Sequence, residues 1–454
     1  MLNFFNAGDA RTGDNTAVNE ILAAWSEWTK PSAGLATVQW SLLLALAAVA
    51  GHLVNRTLGL PKVIGYSLIG TAAGLTGFTG AVWPLQGTGL FLLELGVAVV
   101  LFEAGGRISM RWFRHNPMVL VQSLLESTLT FIVVYWTLGL MDVRAPVAEA
   151  LSLLAMAASP AVLSRVAIDT RAAGPVTDRA MVLSTLSTLY ALTLCSARAG
   201  MLQRGDTLVT STTAGLISSL YPVLVVLGLS VVVGALLALV LRTALRVMSP
   251  TSENTAILLL SLIAAGAALA ANFGGSAPLA ALLGGMLLKQ LNPRPWSWPR
   301  QMGTASSMLT MLMFVLVSVV AAQADWGGPV AGLVLVLITA RMVAKIVGIG
   351  VGNVGSGASA TQALWLGLAM SPMSSVALLL VSQYVAATGA LGRQIASVAL
   401  PAILVMELLG AVLATVAIYR AGESSRPWFQ KPRSAQNAVT GPAPLQPTEP
   451  VHES

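Results

Sequence analysis

What most constrains this chain is the recurrence, along nearly its whole length, of apolar runs about 17 to 25 residues long, each the length of a helix that crosses a bilayer. A backbone inside the roughly 30 Å hydrocarbon core must satisfy its own hydrogen bonds, which leaves only helices and closed barrels. Barrel strands would read as segments of alternating polarity about ten residues long, and none occurs. Composition agrees, with 56% hydrophobic and only 9% charged residues, where soluble domains carry roughly a quarter charged. The expected fold is therefore an all-α polytopic membrane protein of about 13 transmembrane helices by the helix-length rule. The spans fall near 38–55, 63–78, 89–105, 117–140, 146–167, 180–202, 216–245, 254–272, 276–290, 303–323, 328–350, 361–383 and 395–419.

Three regions follow. Residues 1–37 are polar and contain an amphipathic stretch, Ala17 to Trp28, with Ile21, Leu22, Trp25 and Trp28 on one side, which suits the membrane surface. No basic stretch followed by a short apolar core and a small-residue cleavage site occurs, so no removable signal peptide is expected. Residues 38–420 form the transmembrane domain. Residues 421–454, rich in Pro, Ser, Gln and charge, are expected to be a disordered tail, too short for a nucleotide-binding domain.

The formal charge of +7 is explained by position. Numbered after these spans, the odd loops and the tail hold Arg56, Lys62, Arg107, Arg165, Arg179, Arg246, Lys289 and Arg420 among others. The even loops hold only Arg144, Arg198, Arg204 and Arg393. The positive-inside rule then sets the N-terminus outside and the C-terminus in the cytoplasm of an inner (plasma) membrane, with no nucleic-acid partner needed. Cys195 has no partner, and His52, His115 and His452 are scattered, so neither a disulfide nor a metal site is expected. Without a phosphate-binding loop, a dinucleotide fingerprint or a nucleophile elbow, the chain offers no cofactor site and no footing for an enzyme.

Two spans are interrupted alike: Met156-Ala-Ala-Ser-Pro160-Ala in the fifth and Ala369-Met-Ser-Pro372-Met-Ser-Ser375 in the twelfth, 372 − 160 = 212 residues apart. Proline within a membrane helix frees a carbonyl that hydrocarbon cannot satisfy, so both breaks belong inside the bundle. Glu126 precedes Arg341 by a similar offset, 341 − 126 = 215. A shift of seven spans is odd, so the second copy inserts upside down. The result is a pair of inverted six-helix repeats joined by the seventh span, a design whose solute site lies at the midplane between half-helix ends.

Gly59-Leu-Pro-Lys-Val-Ile-Gly-Tyr66, Glu94-Leu-Gly-Val, Leu101-Phe-Glu-Ala-Gly105, Ala158-Ser-Pro-Ala161 and Gly174-Pro-Val-Thr-Asp-Arg179 resemble the sodium/hydrogen exchanger family of monovalent cation:proton antiporters. Ser276-Ala-Pro-Leu through Gly285, Ala340-Arg-Met-Val-Ala-Lys345 and Gly367-Leu-Ala-Met-Ser-Pro372 continue the resemblance in order, over about residues 40 to 420. It implies a dimerisation domain beside a core with two crossed discontinuous helices, and a homodimer. One departure stands out. Where the family carries an Asp-Asp or Asn-Asp pair, this chain reads Thr185-Leu-Ser187-Thr188-Leu-Tyr190. Hydroxyl oxygens can ligate Na⁺ or K⁺, but Ser and Thr do not release a proton near neutral pH.

An ionised side chain at the bilayer centre costs about 2.5 to 3.5 kcal/mol, so each needs a partner or a task. Glu126 and Glu407, near the middle of the fourth and thirteenth spans, are candidates for the missing titratable group or for a buried ion pair with Arg341 or Lys345. Arg341 and Lys345 share a helix face, and Lys345 matches the family's basic position beside the ion site. Glu103 and Arg107 suggest a salt bridge. Ser159, Ser187, Thr188, Ser371 and Ser374 are the candidate ion ligands. Antiport of a monovalent cation against protons is the leading expectation. An anion or carboxylated-solute carrier and a non-transporting sensor are the alternatives, told apart by whether Glu126 or Glu407 faces Ser187 and Thr188.

Overall fold

The computed structural model describes residues 33–108, 113, 116–203, 213–248, 252–292, 300–373 and 375–425. The amphipathic stretch Ala17 to Trp28, Ser374 and the tail beyond Ser425 lie outside them. The described chain is almost wholly helical, with no strand: α1 (Ala33–Thr57), α2 (Lys62–Leu75), α3 (Gly87–Gly106), α4 (Pro117–Leu140), α5 (Ala145–Met156), α6 (Pro160–Thr170), α7 (Pro175–Gln203), α8 (Thr213–Val247), α9 (Glu253–Asn272), α10 (Ala277–Leu291), α11 (Arg300–Ala322), α12 (Gly328–Gly352), α13 (Ala360–Ala369), α14 (Ser375–Thr388) and α15 (Ala390–Arg420). Pairing α5 with α6 and α13 with α14 across their breaks gives the segment order expected from the sequence. Among the described residues, ten spans are long and apolar enough to cross a membrane, with two shorter apolar helices, Ala277–Leu291 and Ser375–Thr388.

Local chemistry sets the helix ends. Pro117, Pro146, Pro160, Pro278 and Pro329 stand in first turns, where a missing N–H costs nothing. Ser359 and Gln362 close a capping box on α13. Apolar side chains such as Leu42, Leu46, Val49 and Leu53 on α1 and Leu335, Val343, Val347 and Val351 on α12 lie exposed in helical stripes, as on a lipid-facing surface. Cys195 is packed inside.

The helices form two groups. In one, α4 lies along α12, and these pack with α5/α6, α7, α13/α14 and α15; in the other, α1, α2 and α3 pack with α9, α10 and α11. The second group carries the mark of the repeat, because α2 pairs with α11 and α3 with α10, each pair the seven-span shift of the other. Both pairs touch backbone to backbone. A Cβ on Gly74 would sit 2.4 Å from the Val319 carbonyl oxygen, and one on Gly285 would sit 2.1 Å from that of Phe102.

The chain just past α15 is anchored, where the sequence suggested disorder from 421 onward. Glu423 accepts hydrogen bonds from the backbone N–H groups of Val176 and Thr177 at 2.7 Å each, capping the start of α7, and Ser424 Oγ donates to the Thr170 carbonyl at 2.9 Å.

Candidate functional site

Each break ends its first half-helix with carbonyls that have no helical partner, and one arginine holds both. Arg341, buried on α12, donates from Nε to Ala155 O (2.9 Å) and from Nη2 to Ala157 O (2.8 Å) at the first break. Its Nη1 donates to Ser371 O (2.5 Å), and Nη2 also lies 3.3 Å from Pro372 O at the second. A planar guanidinium has enough donors in fixed directions for this, and its charge suits two helix C-termini. The breaks therefore meet within the reach of a single side chain.

One turn further along α12, Lys345 forms a fully buried ion pair with Glu126 Oε1 on α4, and its ammonium also donates to Met156 O at 3.1 Å. The other carboxylate oxygen of Glu126 accepts from Ser187 Oγ at 2.7 Å, with Ser127 Oγ 3.1 Å away. Thr130 Oγ1 lies 3.4 Å from Oε1. Glycine brings the two helices together here: a Cβ on Gly348 would stand 2.8 Å from the Glu126 Cα, and one on Gly352 equally close to the Gln122 Cα. Thr188 Oγ1 lies 2.7 Å from both Ala158 O and Ser184 O, which ties α7 to the first break. A carboxylate, an ammonium, hydroxyls and the broken helix ends thus converge in one buried place, an arrangement that suits exchange of a small cation for a proton.

The other expected residues fall differently. Ser159 caps α6, its Oγ accepting from the Val162 N–H at 3.2 Å. Ser371 contributes its carbonyl to Arg341. Glu407 does not face Ser187 or Thr188: its Oε1 accepts from Ser67 Oγ of α2 (2.7 Å) and lies 3.4 Å from Ser318 Oγ of α11. Ser374 is outside the described residues. Sequence reasoning missed Ser127 and Thr130. Their signal was a polar stripe, Gln122, Ser123, Glu126, Ser127 and Thr130, repeating at helical spacing along one face of an otherwise apolar α4, and every member is buried.

Beside the C-terminal end of α7, a crevice of about 430 Å³ lies between α7 and α14 on one side and α8 and the α9–α10 turn on the other, lined by Ser196, Gln203, Tyr221, Gly275, Gln383 and Ala387. Near the start of α7 a cleft of about 350 Å³ lies beside Arg107, Thr177 and Asp178, and the gap between α6 and the α3 and α11 helices narrows to about 10 Å³. Polar contacts cross it. Arg165 donates to Ser307 Oγ (2.8 Å) and Thr310 Oγ1 (3.0 Å), Ser306 Oγ donates to Glu103 (2.8 Å), and Asp169 accepts from the Lys62 N–H (2.9 Å). Glu103 also keeps the expected bridge to Arg107 at 2.7 Å.

Residues 42–418 match the family described as "Sodium/hydrogen exchanger, transmembrane". The chain belongs to the sodium/hydrogen exchanger family. It is accordingly a membrane transport protein and not an enzyme. Two structures of the sodium proton antiporter MjNhaP1 from Methanocaldococcus jannaschii share its fold. One, determined at pH 8, has a TM-score of 0.65 at 15% identity and covers 85% of this chain and 100% of that one. The other, an electron-microscopy structure, has a TM-score of 0.55 at 16% identity and covers 91% and 98%. No curated protein matches the sequence. In this chain the carboxylate facing the basic residue of α12 comes from α4, and α7 presents hydroxyls at 187 and 188.

Proposed function

We propose that this chain is a secondary active antiporter that moves a monovalent cation, Na⁺ or K⁺, against protons across a cell's inner membrane by alternating access. We read it as a homodimer with its N-terminus outside. The observation that carries the reading is the buried Glu126–Lys345 pair, with Ser187 on the free carboxylate oxygen, beside the first helix break.

In the proton-loaded state, Lys345 is an ammonium resting on Glu126. A dehydrated cation entering the site takes Glu126 Oε2 with the Ser187 and Ser127 hydroxyl oxygens as hard ligands, and Lys345 gives its proton to water arriving with the cation. Both loaded states leave the pair with no net charge. The empty state, a carboxylate facing a neutral amine, would carry an uncompensated buried charge at a cost of several kcal/mol. Only a loaded bundle moves, so one cation crosses for one proton and exchange is electroneutral. Crevices at both ends of α7, with polar contacts between the helix groups near its start, support alternating access. The lysine and arginine excess on alternate loops supports the orientation.

An anion carrier required Arg341 or Lys345 open to a cavity with no carboxylate in reach. Lys345 rests on Glu126 and Arg341 on backbone carbonyls, so no observation favours that reading. Proteoliposomes carrying a ΔpH, read with a pH-sensitive dye, test the proposal. A collapse on adding Na⁺ or K⁺ that is lost in Glu126→Gln supports it, and a wild-type protein that answers no cation overturns it.

A further inference from the structure

Among the described residues the buried charged side chains are Glu126, Lys345, Arg341, Arg198 and Glu407. The first two pair with each other, Arg341 holds two helix ends and Arg198 pairs with Glu149 at 2.9 Å. Glu407 is the one buried acid among them without a cationic partner. Its Oε1 has the two serine hydroxyls, and its Oε2, buried as well, has no hydrogen-bond partner. Such a carboxyl is not tolerated idly in a membrane interior; it needs a proton or a cation.

Its position gives it a task. Glu407 lies on α15, in the helix group that contains the Glu126–Lys345 pair, whereas Ser67 and Ser318 lie on α2 and α11 of the other group. The serines are held side by side by Gly70, whose missing Cβ would stand 2.9 Å from the Ser318 Cβ and 2.6 Å from Val315 O. One turn beyond Glu407, Gly410 lets α15 ride on the second break, since a Cβ there would meet the Pro372 Cα at 2.5 Å. The carboxyl is thus joined to the broken helix on one side and to the opposing group on the other.

We propose that Glu407, Ser67 and Ser318 form a second proton site on the boundary between the two helix groups, which gates their relative movement and takes no part in binding the exchanged cation. As a carboxylate, Glu407 is held by the two hydroxyl donors and the groups are latched. As a neutral acid it can leave those donors without carrying a bare charge through an apolar boundary, and the groups are free to move. The proton goes onto the unpartnered Oε2 and is returned to water when the latch reforms. The exchanged cation is placed at Glu126, where the ammonium of Lys345 can yield its charge, and Glu407 has no such partner.

The groups around Glu407 leave the titration to it. Arg341 and Lys345 on α12 are engaged at the breaks and at Glu126, Glu149 on α5 pairs with Arg198, and Tyr384 on α14 faces Cys195. Arg165 and Asp169 on α6 are engaged nearer the start of α7, beside Lys62 and Tyr66 of α2. None of the described charged side chains lies within ion-pair distance of Glu407.

This inference rests on the antiport reading for its assay but not for its spectroscopy. With Glu407→Gln, which fixes the neutral form, cation exchange should persist into alkaline conditions where the wild-type latch locks and turnover falls. The alkaline limb should move up by a pH unit or more, with the KM for the cation unchanged. Ser67→Ala, which weakens the carboxylate form from the other side, should move the limb the same way by less. Superimposed pH profiles for wild type and both variants overturn the proposal, as does a Glu407→Gln variant whose cation KM rises as that of a ligand would. Independently of transport, infrared difference spectra of the purified protein should show a pH-titrating protonated-carboxyl band that disappears in Glu407→Gln. A band unchanged by that substitution contradicts the proton site even if no cation proves to be carried, so failure of the antiport reading is seen separately.

Discussion

Glu126 and Glu407 are both buried acids midway along long helices, yet they are stabilised in different ways. Glu126 has an ammonium partner on the adjacent helix of its own group, fixed at close quarters by Gly348. Glu407 reaches across to the other group and meets only hydroxyls. A charge whose partner travels with it can cross an apolar boundary as a neutral unit, and this suits a carrier site. A charge whose donors stay behind must be neutralised before anything moves, and this suits a gate.

Glu126→Gln should have the largest effect on this contrast. It leaves Lys345 buried without its partner, so we expect complete loss of cation-dependent exchange together with about 3 to 5 kcal/mol of stability. A thermal melt in detergent measures the second loss. Adding Lys345→Met should restore most of the stability and none of the exchange, because an apolar side chain can replace a buried pair structurally but not chemically. A single mutant that melts like wild type would place Glu126 in a looser setting than the one described.

Ser187→Ala should act more mildly. It removes one hydroxyl ligand and one hydrogen bond to Glu126, about 1 kcal/mol, which corresponds to about a 5-fold rise in the KM for the cation with turnover little changed. Ser67→Ala, at the other carboxyl, should leave that KM alone. Equal KM effects from the two serines would erase the distinction between carrier and gate.

The smallest effect belongs to Ser159→Ala. Its hydroxyl caps α6, so the loss is about 1 kcal/mol of stability, with the cation KM unchanged, as melts and initial rates on the same preparation would show. A raised KM there would return Ser159 to the ligand set.

The spans and both breaks were legible in the sequence because hydrocarbon leaves so few choices: run length gave the helices, and Ser159-Pro160 and Ser371-Pro372 could only lie inside the bundle. The Glu126–Lys345 pair was legible as one of several pairings, since an offset along the chain says which helices correspond but not which side chains meet. What separated Glu126 from Glu407 was the direction each faces, and that depends on which glycines let two backbones touch. Gly348 looks like any other membrane-helix glycine until α4 is laid against it. The four carbonyls gathered by Arg341 were equally hidden, because backbone acceptors carry no sequence signature. The anchoring of Glu423 at the start of α7 was masked by the polar, proline-rich composition that follows it.

The central proposal is that Glu126 on α4 supplies the carboxylate that the family resemblance places on α7. The most direct test is to move it to α7, comparing cation-driven ΔpH dissipation in proteoliposomes for Glu126→Ser and for Glu126→Ser combined with Ser187→Asp. The account predicts no exchange in the single variant and recovered exchange in the double, because Ser187 Oγ lies 2.7 Å from the Glu126 carboxylate and an acid there reaches the same pocket. Wild-type exchange in the single Glu126→Ser variant would contradict it.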